Sequence, residues 1–458
     1  MRSPMCLSSK TRQKPFGNNS PWPTPSSWPA HNDNQALTLM TGTFELPISR
    51  RNLLSQTAVA AASLVLPLGK AVGQTRSGIL NAGTVLSGSV SSSPEARLIE
   101  VYRAIGAGDK QALTMAGALV RDVPGFQLGQ LVYGDLLVAQ SGSLTNLATI
   151  KDGPPAVRAQ LQNLRTEANR RLSALREMPS PGAVPEQVIE LARNVQHVVV
   201  VDASHSRVFV FEQQSGSLRL IRSFYASIGQ AGFGKQVEGD LRTPLGVYHI
   251  TSRLEDKQVD ELYGIGALPL NYPNEYDRRL GRTGSGIWLH GVPRETYSRS
   301  PFATEGCVAL ANDDMAYLMS VLQTRRTPVV IADEVNWVRP AELAAERRSF
   351  LALCTQWQTA YARGDKQVLQ ALQTADFNAR DSSSFHNVSS KVDARRTIPE
   401  PDPQAQWRNV SVFRWSRQAE VAIVNYTATS PRQSRSVDRR QYWVQEQRRW
   451  QLFFDGPV

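Results

Sequence analysis

Ile287-Trp-Leu-His290-Gly291, followed after a loop by Ala303-Thr304-Glu305-Gly306-Cys307-Val308-Ala309-Leu310, is the stretch on which the reading of this chain turns. An apolar run leads into His290, so it is expected at the end of a strand, Cys307 is expected after a loop, and sixteen residues separate the two. A thiolate nucleophile needs an imidazole to take its proton, and the two groups must meet in space though not in sequence. A strand carrying His290 and a loop returning to Cys307 would bring them together. On spacing alone, an inert buried cysteine and a satisfied core histidine remain the plainer reading.

Working outward, a mostly β domain is expected over 195–333. Val198-Val-Val-Val-Asp202, Arg207-Val-Phe-Val-Phe211 and Leu218-Arg-Leu-Ile221 are β-branched and aromatic runs divided by Ser, His and Gly. Gly246-Val-Tyr-His-Ile250, Gly286-Ile-Trp-Leu-His290 and Val329-Val-Ile331 continue the series. Before it, Ala96-Leu98-Ile99-Tyr102-Ile105 is apolar at helical spacing, and Gly106-Ala-Gly-Asp109 breaks that helix. A second helix passes through Leu113 and Leu119, and Pro124-Gly-Phe126 starts a third, so 95–178 reads as a small helical module resembling the tetratricopeptide type. Pro179-Ser-Pro-Gly-Ala-Val-Pro185 reads as a linker.

After Pro340, a long amphipathic helix through Leu343, Phe350, Cys354, Trp357 and Tyr361 ends in Arg-Gly-Asp365. Strands follow at 407–415, 419–429, 439–447 and 449–455. One long helix before a bent antiparallel sheet makes 341–458 an α+β unit that resembles the nuclear transport factor 2-like cone fold. Trp357, Tyr361, His386, Trp407, Tyr426 and Trp443 read there as core, and Cys354 with them.

Residues 1–48, rich in Pro, Ser and Asn, read as a disordered or untranslated leader, with Met1 and Met40 both available as starts. From 49 to 74 the paired Arg50-Arg51, a short apolar run from Thr57 to Leu68, and Ala71-Val72-Gly73 resemble a twin-arginine export signal. The apolar run falls short of the ~20 residues needed to span a bilayer. Export to the periplasm is therefore expected, with 75–94 as a Gly- and Ser-rich linker.

Composition narrows the chemistry. A chain of 458 residues is roughly three times a ~150-residue domain, and 41% hydrophobic with 20% charged residues is globular, so the expected fold class is multi-domain and soluble in bulk. Three cysteines, Cys6, Cys307 and Cys354, are too few for a four-thiolate zinc site, and the six histidines form no i, i+4 pair. No metal or organic cofactor is expected. The formal charge of +11 comes from scattered basic residues with no nucleic-acid motif, so no nucleic acid is expected as a partner.

The ordered pattern of His-Gly, a loop, and Thr-x-Gly-Cys-Val resembles the L,D-transpeptidase catalytic domain. Gly234-Lys235-x-x-Glu238-Gly239-Asp240-x-Arg242-Thr243-Pro244-x-Gly246-x-Tyr248 is similar to that family's stretch beside the cleft. The resemblance covers about 195–333 and implies a nucleophilic cysteine acting on peptidoglycan stem peptides. It makes Cys307 the nucleophile, His290 its base and later acid, and Gly291 a carbonyl that orients the imidazole. Backbone N–H groups at Gly306 and Cys307 become the oxyanion donors, and Thr304 the holder of their loop. Many members carry a serine after the histidine, a histidine two residues before the cysteine and an arginine two after it. This chain has Gly291, Glu305 and Ala309 there, which places it in a divergent branch, and an ionised Glu305 close to the thiol would raise its pKa.

Lys235, Arg242 and Arg294 are candidates to receive stem-peptide carboxylates. Glu238 is a further candidate at the substrate and with Asp240 could form a carboxylate pair for acid/base work, but the family pattern makes both structural loop residues; Trp288, Tyr272 and Tyr276 read as packing. The implied reaction is L,D-transpeptidation of stem tetrapeptides. The arrangement of modules also resembles a cell-shape-determining branch that includes L,D-carboxypeptidases, so trimming of tetrapeptide to tripeptide stands as an alternative, and a non-catalytic wall-binding scaffold as another. The helical and C-terminal modules are candidates for homodimer or wall-protein contacts.

Overall fold

The computed structural model describes residues 93–140, 154–379, 403–430 and 436–458. The expected leader, export signal and most of the first linker, together with His386, lie outside the described residues.

Four helices open the described chain: α1 (Pro94–Gly106), α2 (Gln111–Asp122), α3 (Gln127–Gln140) and α4 (Pro155–Arg176). Ser93 caps α1 by accepting from the Ala96 N–H at 3.2 Å, and Pro94 fills the first turn, where an N–H would have no partner. Gly108, at φ 69°, turns the chain toward α2, a conformation that costs a residue with a Cβ. Leu98, Val101, Leu119, Phe126 and Leu128 close the small core between these helices.

The segment read as a linker is structured. β1 (Val184–Pro185) pairs with β13 (Trp337–Val338), and β2 (Val188–Glu190) joins β15 (Gln406–Trp415) of the C-terminal sheet. Proline punctuation marks a turn there but says nothing of what the flanking valines bury, and Val184 and Val188 are both core residues.

A ten-stranded sheet follows, built from β3 (His197–Asp202), β4 (Arg207–Gln214), β5 (Ser217–Gly229), β6 (Gly246–His249), β7 (Leu254–Glu255), β8 (Gly266–Pro269), β9 (Trp288–His290), β10 (Phe302–Thr304), β11 (Val308–Leu310) and β12 (Pro328–Ala332). Its order is β6-β12-β3-β4-β5-β11-β9-β8-β7, with β10 beside β5. Val198 to Val201 are fully buried, as in a strand covered on both faces. Helices α5 (Glu275–Arg279) and α6 (Asn312–Val321) complete the domain.

The last unit is α7 (Ala344–Arg363), which ends on the left-handed Gly364, then α8 (Lys366–Ala371), β14 (Gln373–Ala379), β15, β16 (Val421–Thr429), β17 (Val437–Glu446) and β18 (Arg449–Pro457). One face of this sheet packs Val424, Tyr426, Trp443 and Leu452 on Phe350, Cys354 and Trp357 of α7. Phe413, Ile423, Tyr442 and Phe454 on the other face share a core with Tyr248, Leu270 and Tyr272 of the central domain. The architecture is thus a helical module, a β-rich central domain and a C-terminal α+β unit.

The helical module docks through buried charge. Arg171 reaches Glu167 at 2.7 Å and Glu95 at 2.9 Å, and Glu95 also binds Arg207 of β4 at 2.7 Å. Arg171 and Glu167 are each only 2% exposed. Removing one member of such a set strands the other charges away from water. Arg171→Ala is expected to lower unfolding stability in urea titrations by about 3–5 kcal/mol, whereas Arg97→Ala, which breaks an exposed pair with Asp122, should cost under about 1 kcal/mol.

Candidate active site

β9 and β11 run parallel, with Val308 opposite Leu289 and Ala309 opposite His290. One step earlier, Cys307 falls level with Trp288. Side chains alternate along a strand, so Trp288, His290 and Cys307 project from the same face. Cys307 lies one residue before β11, and ideal strand spacing puts its Cα about 8 Å from that of His290.

His290 is buried, and its Nδ1 lies 2.6 Å from the Gly291 carbonyl oxygen. A carbonyl only accepts, so Nδ1 carries the proton and Nε2 keeps its lone pair. Burial pulls the imidazole down to about 4, the Gly291 carbonyl resists that shift, and the charge of Arg299 adds to it. The ring of Tyr263 meets His290 edge-on at 5.0 Å.

Cys307 is partly exposed, and its thiol donates to the Gly286 carbonyl at 3.2 Å. Loss of water around the sulfur pushes it up to about 11, partly opposed by the Trp288 backbone N–H. Glu305 pushes it further up, while Arg299 and Lys235 draw it down. Glu305 itself is exposed. The resting pair is therefore a neutral thiol and a neutral imidazole.

Gly291 is required by what surrounds it. A Cβ there would fall on Asn312 Oδ1, far inside van der Waals contact, and 3.1 Å from the Tyr263 carbonyl. Asn312 holds this corner by accepting from Val292 N at 3.2 Å and Ile265 N at 3.4 Å and donating to Val292 O at 2.8 Å. That clamp fills the space a serine would need. Gly306, at φ 132°, is likewise required, since its Cβ would sit 2.7 Å from the Arg242 carbonyl.

Thr304 Oγ1 donates to the Cys307 carbonyl at 2.7 Å and accepts from Gly306 N at 3.1 Å. This corrects one expectation, because the Gly306 N–H is committed inside the loop and is not open to an oxyanion. A second correction concerns Lys235. Its ammonium is buried and held by Asp240 at 2.8 Å and the Val237 carbonyl at 3.1 Å, so it acts on the sulfur as a fixed charge rather than as a ligand for substrate. Burial raises the Asp240 carboxyl, but Lys235 and the N–H groups of Gln236, Val237 and Arg242 outweigh it and bring it to about 2.

Arg242 is exposed and donates to the Phe233 carbonyl at 3.0 Å. Glu238 is exposed, its backbone N–H bonded to Thr283 Oγ1. Arg294 is exposed and paired with Asp256. Tyr272 and Tyr276 are buried, whereas Trp288 remains partly exposed on the catalytic face.

Two residues missing from the motif reading matter here, Arg299 and Asn312. Arg299 donates to the Leu262 carbonyl at 3.0 Å, and its charge acts on both Cys307 and His290. No sequence signal set it apart from Arg294, a second cation in the same connection that pairs with Asp256 instead. Among the described residues no group of His, Cys, Asp and Glu could hold a metal ion.

Residues 196–331 match the family model described as YkuD, the L,D-transpeptidase catalytic domain. The matched residues lie within the central domain, which is therefore similar to L,D-transpeptidase catalytic domains over β3 to β12. Among solved structures the chain is similar to Bd1075 of Bdellovibrio bacteriovorus, with 21% identity over 60% of this chain and 98% of that one and a TM-score of 0.48. The helical cell shape determining protein Pgp2 of Campylobacter jejuni gives 20% identity over 58% and 94%, with a TM-score of 0.47. An L,D-transpeptidase of Mycobacterium smegmatis gives 14% over 30% and 59%, with a TM-score of 0.20. No curated protein matches the chain.

With the thiol near 11, alkylation of Cys307 by iodoacetamide, followed by peptide mass mapping, should accelerate about tenfold per pH unit from 7 to 10. A rate already level at pH 7 would reveal a thiolate paired with imidazolium instead. Cys354, buried in the C-terminal core and pushed up to about 12, should remain unlabelled.

Proposed function

We propose that this chain is an exported cysteine acyltransferase that cleaves the L,D bond between the third and fourth residues of a peptidoglycan stem tetrapeptide. The observation that carries the reading is the neutral His290, its Nδ1–H fixed on Gly291 and its Nε2 free to take a proton, on the same face as Cys307. The thiol rotates from the Gly286 carbonyl toward Nε2 and gives up its proton as sulfur attacks the third-residue carbonyl. The Cys307 N–H faces the developing oxyanion. His290 then returns the proton to the leaving amine, and a thioacyl-enzyme remains.

An amine of a neighbouring stem attacks that thioacyl group, which makes a crosslink and restores the thiol. Water is the second acceptor, favoured by the partial exposure of Cys307, and gives L,D-carboxypeptidation. Arg299 and Arg242, both cations with accessible surface, are the candidates for the carboxylate of the leaving residue. Arg294, already paired with Asp256, is the weaker candidate. The paired Arg50-Arg51 supports export to the periplasm, and no helix among the described residues is long and apolar enough to cross a membrane. The order of α7 and the following sheet supports a nuclear transport factor 2-like reading of 341–458.

Incubation with disaccharide-tetrapeptide and mass spectrometry of the products tests this. Crosslinked dimer, abolished in Cys307→Ala and His290→Ala, is the expected result. Loss of the terminal alanine without dimer would assign the water reaction, and wild type matching Cys307→Ala would remove the catalytic reading in favour of a scaffold.

The pH dependence follows from the same pair. Below about 4 the imidazole is protonated and cannot accept from sulfur, so kcat/KM should fall tenfold per unit on the acid side and stay level from pH 6 to 9. Arg299→Ala should reduce kcat/KM by about tenfold to a hundredfold through loss of a charge-assisted bond to the leaving carboxylate.

A further inference from the structure

Consecutive arginines on β17 meet opposite fates. Arg439 Nη2 lies 2.9 Å from Asp455, on the α7 side of the sheet. Arg440 points the other way, toward the central domain, and is only 7% exposed. Its Nε donates to Asn425 Oδ1 at 2.6 Å, and Tyr442 takes a further bond. No carboxylate lies within ion-pair distance of it among the described residues, and Glu275, which acts on it only through space, is bound by Arg278. A buried guanidinium without a carboxylate is rare because desolvation goes uncompensated. Burial accordingly pulls Arg440 down, whereas Asp455 holds Arg439 up.

Beside it lies a buried donor with no hydrogen-bond partner. Asn425 gives its oxygen to Arg440 and its Nδ2 to His249 Nε2 at 3.0 Å. His249 Nε2 is thus the acceptor and Nδ1 carries the proton, yet the buried Nδ1 has no hydrogen-bond partner. His249 and Arg440 line a cavity of about 40 Å³ at the C-terminal sheet, and Arg439 and Val458 also border it. Exposed Arg325 and Arg326 stand at its rim, and Asp438, bonded to Thr427 at 2.7 Å, is the sole acidic side chain on its wall. The space admits one small group, not a sugar.

We propose that this cavity binds a small oxyanion, a carboxylate or phosphate group, between the guanidinium of Arg440 and the rim arginines Arg325 and Arg326. The site lies apart from the Cys307 cleft and does not depend on the reaction proposed for it.

Inorganic phosphate, titrated into the full chain at constant ionic strength in chloride, should raise the thermal midpoint saturably. Arg440→Met should abolish that response and raise the midpoint in phosphate-free buffer, because it removes a buried charge that no carboxylate neutralises. The exposed pair Arg325→Ala/Arg326→Ala keeps the fold and should weaken phosphate by about tenfold or more, the equivalent of one charge-assisted bond. Cys307→Ala should bind phosphate as wild type does. A parallel titration with acetate separates the sources: a response to both anions assigns a general oxyanion site open to peptide carboxylates, and a response to phosphate alone assigns a tetrahedral one. No saturable response to either, or an equal response in the rim double variant, overturns the proposal.

Discussion

Parallel strands cannot be joined by a tight turn, and the parallel pairing of β9 with β11 is the constraint on which the rest of this site depends. His290 ends one strand and Cys307 precedes the other, so the chain between them must leave the sheet and come back. A crossover of that length has no fixed shape of its own. Here the helical module supplies the shape. Ser298 donates to Glu167 at 2.9 Å, the Tyr297 N–H donates to the Gly125 carbonyl at 3.1 Å, and the rings of Phe126 and Tyr297 lie 4.4 Å apart. Arg170 covers Phe302 at 4.6 Å, further along the same crossover. Arg171, locked between Glu95 and Glu167, holds Glu167 in place for Ser298. The module reads as a mould for the segment that carries Arg299 over the cleft, a more specific task than the general contact role its helical pattern suggested.

The electrostatics of the site follow from that packing. Burial lowers His290 and raises Cys307, so both effects favour the uncharged pair. Arg299 adds to the first effect and opposes the second, because one cation disfavours imidazolium and favours thiolate. Its influence on forming the ion pair therefore partly cancels. Lys235, buried against Asp240 at 2.8 Å, acts on the sulfur alone and draws the thiol down. On the proposed mechanism the thiol stays protonated at rest and thiolate forms only as the proton moves.

Much of this was legible in the chain because it is local. The valine and phenylalanine runs of β3 and β4 alternate or saturate as buried strands must. The amphipathic stripe of α7 was readable for the same reason, down to Cys354 on its buried face. What escaped reading is nonlocal. Asn312 is one residue at the start of α6, and only the fold shows that it fills the space beside Gly291. Thr304 was visible as a loop holder, but that it consumes the Gly306 N–H depends on a rotamer and a turn. Arg439 and Arg440 are adjacent in sequence and indistinguishable there. The strand period of two sends one to Asp455 and the other toward His249.

β2 shows why module boundaries in the chain are not boundaries in space. It precedes the central domain by a few residues, yet Val188 and Glu190 pair with Phe413 and Val412 of β15, more than two hundred residues later. Arg279 of α5 reaches Asp376 at 2.8 Å and Glu446 at 2.9 Å across the same junction. Cutting the chain after the central domain would therefore remove the partner of β2 and uncover the apolar face of Phe413, Ile423 and Tyr442 that the central core shares. Such a face is too apolar to be left to water. The C-terminal unit is consequently part of the central domain's fold as well as a unit in its own right, and the cavity at Arg440 lies on the seam that this shared core creates.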